Sequence, residues 1–344
     1  MFEFLSVLWF FLIFVLIAGY FVLDGFDLGI GVLSPFIAKN EEERAVLRRA
    51  IGPVWDGNEV WLLTAGGALF AAFPNAYATT FSGFYLAVML VLFGLIVRAV
   101  SFEFRAGDPG WGKLWDGCFF VGSLLPALLL GVAVGNIFAG IPMDAVGDYA
   151  GVPLLGLITP FTLLTGLLGL VMFLAAGAAW AALKAPLPSE LQARAARLRM
   201  PLQVTALVLF AVVSVFALGL VGTEMDPNLG VLRWLFAALV VVALGASIAV
   251  GQFQGDDLKA FLAQSAAMIA LVALLACSMF PVLVNATPDS VGPAITLANA
   301  ASSELSLTWM TIILCIGLPL VLVYHVIIYR TFRGRVSPED VEHY

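Results

Sequence analysis

FLSVLWFFLIFVLIAGYFVLDGFDLGIGVL occupies residues 4–33, and the charged stretch KNEEERAVLRRA follows at 39–50. A helix crosses the hydrocarbon core of a bilayer in about 20 predominantly apolar residues. The first stretch exceeds that length, and its only formal charges are Asp24 and Asp27. The second stretch is charged throughout. A long apolar run ended by such a segment is the signature of a membrane-spanning helix arriving at water. The composition extends the reading to the whole chain: of 344 residues, 62% are hydrophobic and 11% charged, against about 25% charged in soluble domains. Most of the surface must therefore face lipid. The first six residues contain Glu3 and no Lys or Arg, whereas a cleavable signal begins with a basic segment. The first run is expected to be retained as a helix.

The same criterion finds nine spans: 4–33, 58–74, 77–100, 115–139, 154–183, 202–222, 232–251, 259–284 and 307–330. The expected architecture is an all-α polytopic membrane protein, with one integral membrane domain over residues 1–344 and no soluble domain or internal repeat. Polar stretches divide the spans, among them RAGDPGWGK (105–113), KAPLPSELQARAARLR (184–199), TEMDPN (223–228) and NATPDSVGP (285–293). The second span has the shortest apolar part, and its start near Trp55 lies at the interface.

Basic residues orient the chain. With nine spans, alternate loops share a side, and fifteen of the sixteen lysines and arginines fall on one side, leaving Arg233 on the other. Cytoplasmic loops collect Lys and Arg. The N-terminus is therefore expected outside and the C-terminus in the cytoplasm.

Charged groups inside a bilayer are expensive, and those present usually face the bundle interior and serve function. Asp24 and Asp27 lie three residues apart in the first span, and Asp56 and Glu59 three apart at the start of the second. Arg98 and Glu103 end the third span, and Asp116 begins the fourth. All six acids fall in the cytoplasmic half of spans one to four. The competing reading is structural. Acids at span ends can simply be solvated, Asp56 and Glu59 suit a helix N-terminus, and Arg98 can pair with one of these acids. Gly25 and Gly29 form a small-xxx-small pair of the kind that lets helices approach closely. Cys118, Cys277 and Cys315 lie far apart with no CxxC spacing, and His is limited to His325 and His343. The chain alone therefore lacks the residues to hold several haems, and it shows no zinc, nucleotide-loop, nucleophile or nucleic-acid signature.

GYFVLDGFDLGIGVL (19–33) followed by GPVWDGNEVWLLTAGGALFAAFP (52–74) resembles subunit II of the cytochrome bd-type quinol oxidases. FSGFYLA (81–87), the GS–P–GVAVGN run (122–136), MFPVLVNAT (279–287) and GRVSPEDVE (334–342) fit the same family. The resemblance implies two four-helix bundles plus a ninth, peripheral helix, pseudo-symmetric with subunit I. It implies a heterodimer in the bacterial cytoplasmic membrane that oxidises quinol and reduces dioxygen to water. Two b-type haems and one d-type haem would be held chiefly by subunit I. Acids of the first two spans would carry protons towards the haem site, by motif Asp27 and Asp56, with Glu59, Asp24 and Glu103 as further candidates. Whether a small single-helix subunit joins, or a quinone or lipid binds this chain, is left open.

Two other readings stand beside this one. An independent proton-coupled transporter would also place acids in spans one to four, although no paired broken-helix pattern appears in two matching halves. A purely structural subunit would make those acids replaceable.

Overall fold

The computed structural model describes residues 1–220 and 229–336. The loop TEMDPN (223–228), His343 and the part of the tail beyond residue 336 lie outside them. Helices dominate. The first span forms as α1 (Phe2–Leu23) and α2 (Gly25–Ile37), joined at Asp24 with little interruption: Asp24 N–H donates to Tyr20 O and Leu28 N–H to Asp24 O. The charged segment after it is itself a helix, α3 (Glu41–Ile51). The Asn40 side chain caps it by accepting from Glu43 N–H at 2.8 Å, and its apolar side buries Val46, Leu47 and Ile51. Spacing within KNEEERAVLRRA carried that amphipathic pattern, but the charge density masked it.

The second span is α4 (Trp55–Ala72), beginning at Trp55 rather than at residue 58. The third differs from expectation. The predicted single helix over 77–100 is two: α5 (Pro74–Gly83) and α6 (Tyr85–Gly107), parted at Phe84. The break coincides with Gly83, which lies against a loop tyrosine; a Cβ there would sit 2.8 Å from Tyr149 Cβ. The remaining long helices are α7 (Gly112–Ala139), α8 (Pro160–Lys184), α9 (Glu190–Leu220), α10 (Gly230–Ala249), α11 (Asp257–Met279) and, after the short α12 (Leu297–Ala300), α13 (Glu304–Thr331). Among the described residues, eight helical stretches are long and apolar enough to cross a membrane. α4 is not one of them, because Asp56, Asn58 and Glu59 occupy its first turns.

α2 packs against both α7 and α8, α1 lies against α4 and α11, and α13 leans on α1 and α4. α8 continues to α9, and α10 pairs with α11. At the end opposite α3, the loops after α7 and α11 interlock. There β1 (Val282–Val284) pairs antiparallel with β2 (Ile295–Thr296), and Ile141 bridges Ala286.

The α2–α8 crossing brings backbone against backbone. A Cβ on Gly29 would lie 2.0 Å from Phe173 O and 3.1 Å from Gly177 Cα, and a Cβ on Gly177 would lie 2.5 Å from Gly29 C. Neither obstacle is the movable end of a side chain. Overpacking typically costs about 1–3 kcal/mol, and Gly29→Ala is expected at the upper end of that range. A lowered thermal midpoint of the purified protein would show it. Gly67→Ala, with nothing within 4 Å of the added carbon, should leave the midpoint unchanged.

Candidate functional site

Asp24 sits at the α1–α2 junction, Glu59 one turn into α4, and Arg98 within the last three turns of α6. These three elements are far apart in sequence, and their side chains meet inside the protein. Arg98 Nη2 donates to Asp24 Oδ1 at 2.8 Å and to Glu59 Oε1 at 2.6 Å. Asp24 is fully buried, Arg98 is 2% exposed and the Glu59 side chain 23% exposed. α4 lies against α1, with Glu59 reaching Arg98 beside the α1–α2 junction, and Ser101 Oγ donates to Arg98 O within α6.

Asp27, also fully buried, lies one turn beyond Asp24 and has a neutral partner. Asn58 Nδ2 donates to Asp27 Oδ2 at 2.8 Å and to Leu23 O at 3.0 Å. The Asn58 carbonyl in turn accepts from Tyr329 Oη of α13 at 3.1 Å. No cation lies within ion-pairing distance of Asp27 among the described residues. Two carboxyl groups thus bind one guanidinium, and a third lies one helix turn away on Asn58. Were all three ionised, three negative charges against one positive would leave a net charge of −2 in the membrane interior, an expensive arrangement. Such a cluster can hold protons.

The other candidates are placed differently. Asp56 is exposed, and its Oδ1 accepts from Gly57 N–H at 2.7 Å in the first turn of α4, where the helix dipole favours a negative charge. It shares an exposed stripe of α4 with Val60, Leu63 and Phe70. Trp55 is partly buried, with its ring 5.7 Å from that of Phe102. Glu103 is exposed on α6 and joins neither cluster. Gly25 meets the Phe173 ring, with a Cβ there lying 2.6 Å from Phe173 Cδ1.

Asp116 belongs to a separate belt at the α3 end. Arg105 Nε lies 3.1 Å from Asp116 Oδ1, and Arg105 Nη2 2.6 Å from Glu41 Oε2. Arg48 and Arg44 reach the same two acids. At Glu41, partial burial raises the carboxyl pKa, but the hydrogen bond from Arg48 and the charges of Arg48, Arg105 and Arg44 outweigh it, so the net shift is downward. Glu43 is shifted down in the same way. Burial again opposes, and the Lys39 N–H and the paired Arg194 prevail.

Charge-based reading missed Asn58, Tyr329 and Trp61. All three are neutral, and Tyr329 is 271 residues from the asparagine it contacts. Asn58 stands inside WDGN, beside residues that charge did single out. His325, which the sequence did offer, is held by two contacts. Its Nδ1 lies 2.9 Å from Val321 O, a contact that only a protonated Nδ1 can make, and its Nε2 accepts from Trp61 Nε1 at 3.2 Å. Both ring nitrogens are engaged, so His325 does not fit an axial haem ligand. Among the described residues no group of three or more His, Cys, Asp or Glu side chains is arranged to hold a metal ion.

A profile of the family "Cytochrome bd terminal oxidase subunit II" matches residues 5–332. The chain belongs to that family. Its sequence is 34% identical to the cytochrome bd-I ubiquinol oxidase subunit 2 of Escherichia coli K12, over 99% of this chain and 97% of the relative. It is 37% identical to the cytochrome bd ubiquinol oxidase subunit 2 of Bacillus subtilis 168, over 97% of each. Among solved structures, the bd oxidase from Geobacillus thermodenitrificans superposes with a TM-score of 0.75 at 18% identity, covering 95% of this chain and 98% of that one. At that identity the likeness establishes the fold. For a bd oxidase subunit II, the carboxyl–guanidinium cluster is a membrane-embedded ionisable centre on a chain whose one described histidine has no nitrogen to spare.

Proposed function

We propose that this subunit II works in a heterodimer with subunit I that oxidises quinol and reduces dioxygen to water, and that its buried carboxyls convey protons from the cytoplasmic side. In this reading the chain crosses the bacterial cytoplasmic membrane nine times, α4 included, as two four-helix bundles and a peripheral α13. The N-terminus lies outside and the C-terminus inside. The b-type and d-type haems reside on subunit I.

The observation that carries the proposal is the pairing of Asp24 and Glu59 with the buried Arg98, with Asp27 one turn along and held by Asn58. Reducing dioxygen consumes protons, and apolar helix packing gives them no passage. A chain of titratable groups does. Asp56 stands at the cytoplasmic end of α4 on an exposed, otherwise apolar face, where an acid avoids lipid if subunit I covers it. Protons taken up there would pass to Glu59, one turn along the same helix, and so reach the cluster. Arg98 holds Asp24 and Glu59 in place, while Asp27, held by neutral Asn58, is free to change its charge.

The transporter reading requires this chain to act alone, and membership of an oxidase-subunit family weighs against it. A haem spectrum tests the difference. Expressed alone, the chain should carry no stoichiometric haem. Copurified with subunit I, it should bring the full absorbance, and His325→Ala should leave that spectrum unchanged. Stoichiometric haem on the isolated chain, or its loss in His325→Ala, would overturn the assignment of the haems to subunit I.

A further inference from the structure

α13 buries little of itself in this chain. Of its 28 residues only Leu307 and His325 are buried, yet it carries Tyr329, whose hydroxyl donates to the Asn58 carbonyl at 3.1 Å. A latch just beyond the helix fixes its end. Lys184, 8% exposed, ends α8 and donates from Nζ to Phe332 O at 2.5 Å and to Gly334 O at 3.2 Å. Val336 N–H donates back to Lys184 O at 2.8 Å. Arg335 donates from Nη1 to Ala182 O and Ala185 O at the end of α8, at 2.7 and 2.8 Å, and from Nη2 to Asp257 Oδ2 of α11 at 2.9 Å. Cations on the last carbonyls of a helix are favoured by its dipole. The end of α13 is thereby tied to α8 and α11.

The latch begins within one helix turn of Tyr329 and holds it from two sides. Lys184 grips the backbone at Phe332, and its ammonium also lies 5.0 Å from the centre of the Trp180 ring. Trp180 meets the Tyr329 ring edge-on at 5.9 Å and is itself fixed by donating from Nε1 to Ala50 O at 3.0 Å. The far side of Tyr329 is the proton site. Asn58 is fully buried, and its carbonyl and its amide nitrogen are the two ends of one planar group. Tyr329 holds the carbonyl end, and the nitrogen end donates to Asp27 and to Leu23 O. If Tyr329 moved away, the buried carbonyl would lose that donor, a costly state, and the amide facing Asp27 would no longer be held from behind. A continuous series of contacts therefore runs from Arg335 and Lys184 through Tyr329 and Asn58 to Asp27.

We infer, on the reading that Asp27 carries protons, that Lys184 and Arg335 are positioning residues of the proton site: by latching the end of α13 to α8 and α11 they keep Tyr329 on Asn58, and so Asn58 on Asp27. The test compares Arg335→Gln, Tyr329→Phe and the double variant in the purified heterodimer. In Arg335→Gln, Asp257 keeps its ion pair with Arg199 at 2.9 Å, so the buried acid retains a counter-charge. Each single variant should keep its haem content and lower kcat about fivefold, the effect of losing one neutral hydrogen bond, with KM for quinol unchanged. The double variant should be no slower than Tyr329→Phe, because both changes act through the same contact. Lys184→Met removes the other half of the latch and should repeat the result. Arg330→Gln, which changes an exposed cation of α13, should match wild type. Amide hydrogen exchange gives a readout apart from activity, and exchange at residues 326–334 should be faster in Arg335→Gln. Unchanged exchange there, a wild-type kcat in Arg335→Gln, or losses that multiply in the double variant would overturn the inference. Asp27→Asn, measured alongside, separates the two readings. If it is slow while Arg335→Gln turns over normally, only the latch is refuted. If it turns over at the wild-type rate, the proton reading fails and the positioning role falls with it.

Discussion

Replacing Arg98 with Ala is expected to destabilise the protein by about 3–5 kcal/mol, the usual cost of removing one partner from a buried ion pair. The guanidinium is 2% exposed and contacts two carboxyl groups through one nitrogen. Without it Asp24 would be left charged in an apolar interior, or would have to take up a proton. The yield and thermal midpoint of the purified heterodimer measure the effect. The combination Arg98→Leu, Asp24→Asn and Glu59→Gln should recover much of the loss, because a buried ion pair replaced as a whole by neutral groups is often nearly neutral in stability. If Arg98→Ala alone were as stable as wild type, the three-residue cluster would not be an ion-paired centre.

The second large effect concerns turnover. Asp56→Asn keeps the side-chain volume and removes its titration. It is expected to slow quinol oxidation markedly while haem content stays near normal, since positioned proton-transfer groups contribute on the order of 10²–10⁴ in rate. Asp56 is exposed and makes no contact that holds the fold beyond its own helix turn, so a loss of activity through misfolding is not expected. Asp116→Asn provides the comparison. That carboxylate is bound by Arg44, Arg48 and Arg105 in the surface belt, away from the buried cluster, and its removal should affect stability more than turnover. Equal turnover of Asp56→Asn and wild type would move proton uptake elsewhere.

Much of the fold was legible because lipid imposes a simple rule. Apolar runs of sufficient length separated by charged loops mark helices, and helix fills most of each run among the described residues, although the run 154–183 becomes α-helical only at Pro160 and the run 259–284 ends in the strand β1. The exceptions have local causes. The break at Phe84 coincides with the close packing of Gly83 on Tyr149, which arrives from a distant loop, and no spacing within residues 77–100 encodes that contact. The amphipathic α3 was hidden by its own charges. In α4 the acids that single out the site also lower the apolar character of the helix that carries them.

The site was half visible. Asp24, Asp27, Glu59 and Arg98 stood out because charge inside an apolar run is costly, and the structure pairs Asp24 and Glu59 with Arg98 and sets Asp27 one turn away on Asn58. It does not bring in Glu103 or Asp56, which lie exposed, because which face of a helix is buried is decided by partners that the run itself does not name. Asn58 and Tyr329 carry no charge and meet only through tertiary packing.

The most direct test is the turnover of Asp27→Asn, expressed per haem in the assembled heterodimer. Asp27 is buried, makes no ion pair and keeps a hydrogen bond to Asn58, a contact that an asparagine in its place can still accept. The account predicts a complex with normal haem content whose quinol oxidase rate falls by roughly tenfold or more. A fully assembled Asp27→Asn complex that turns over at the wild-type rate would contradict it.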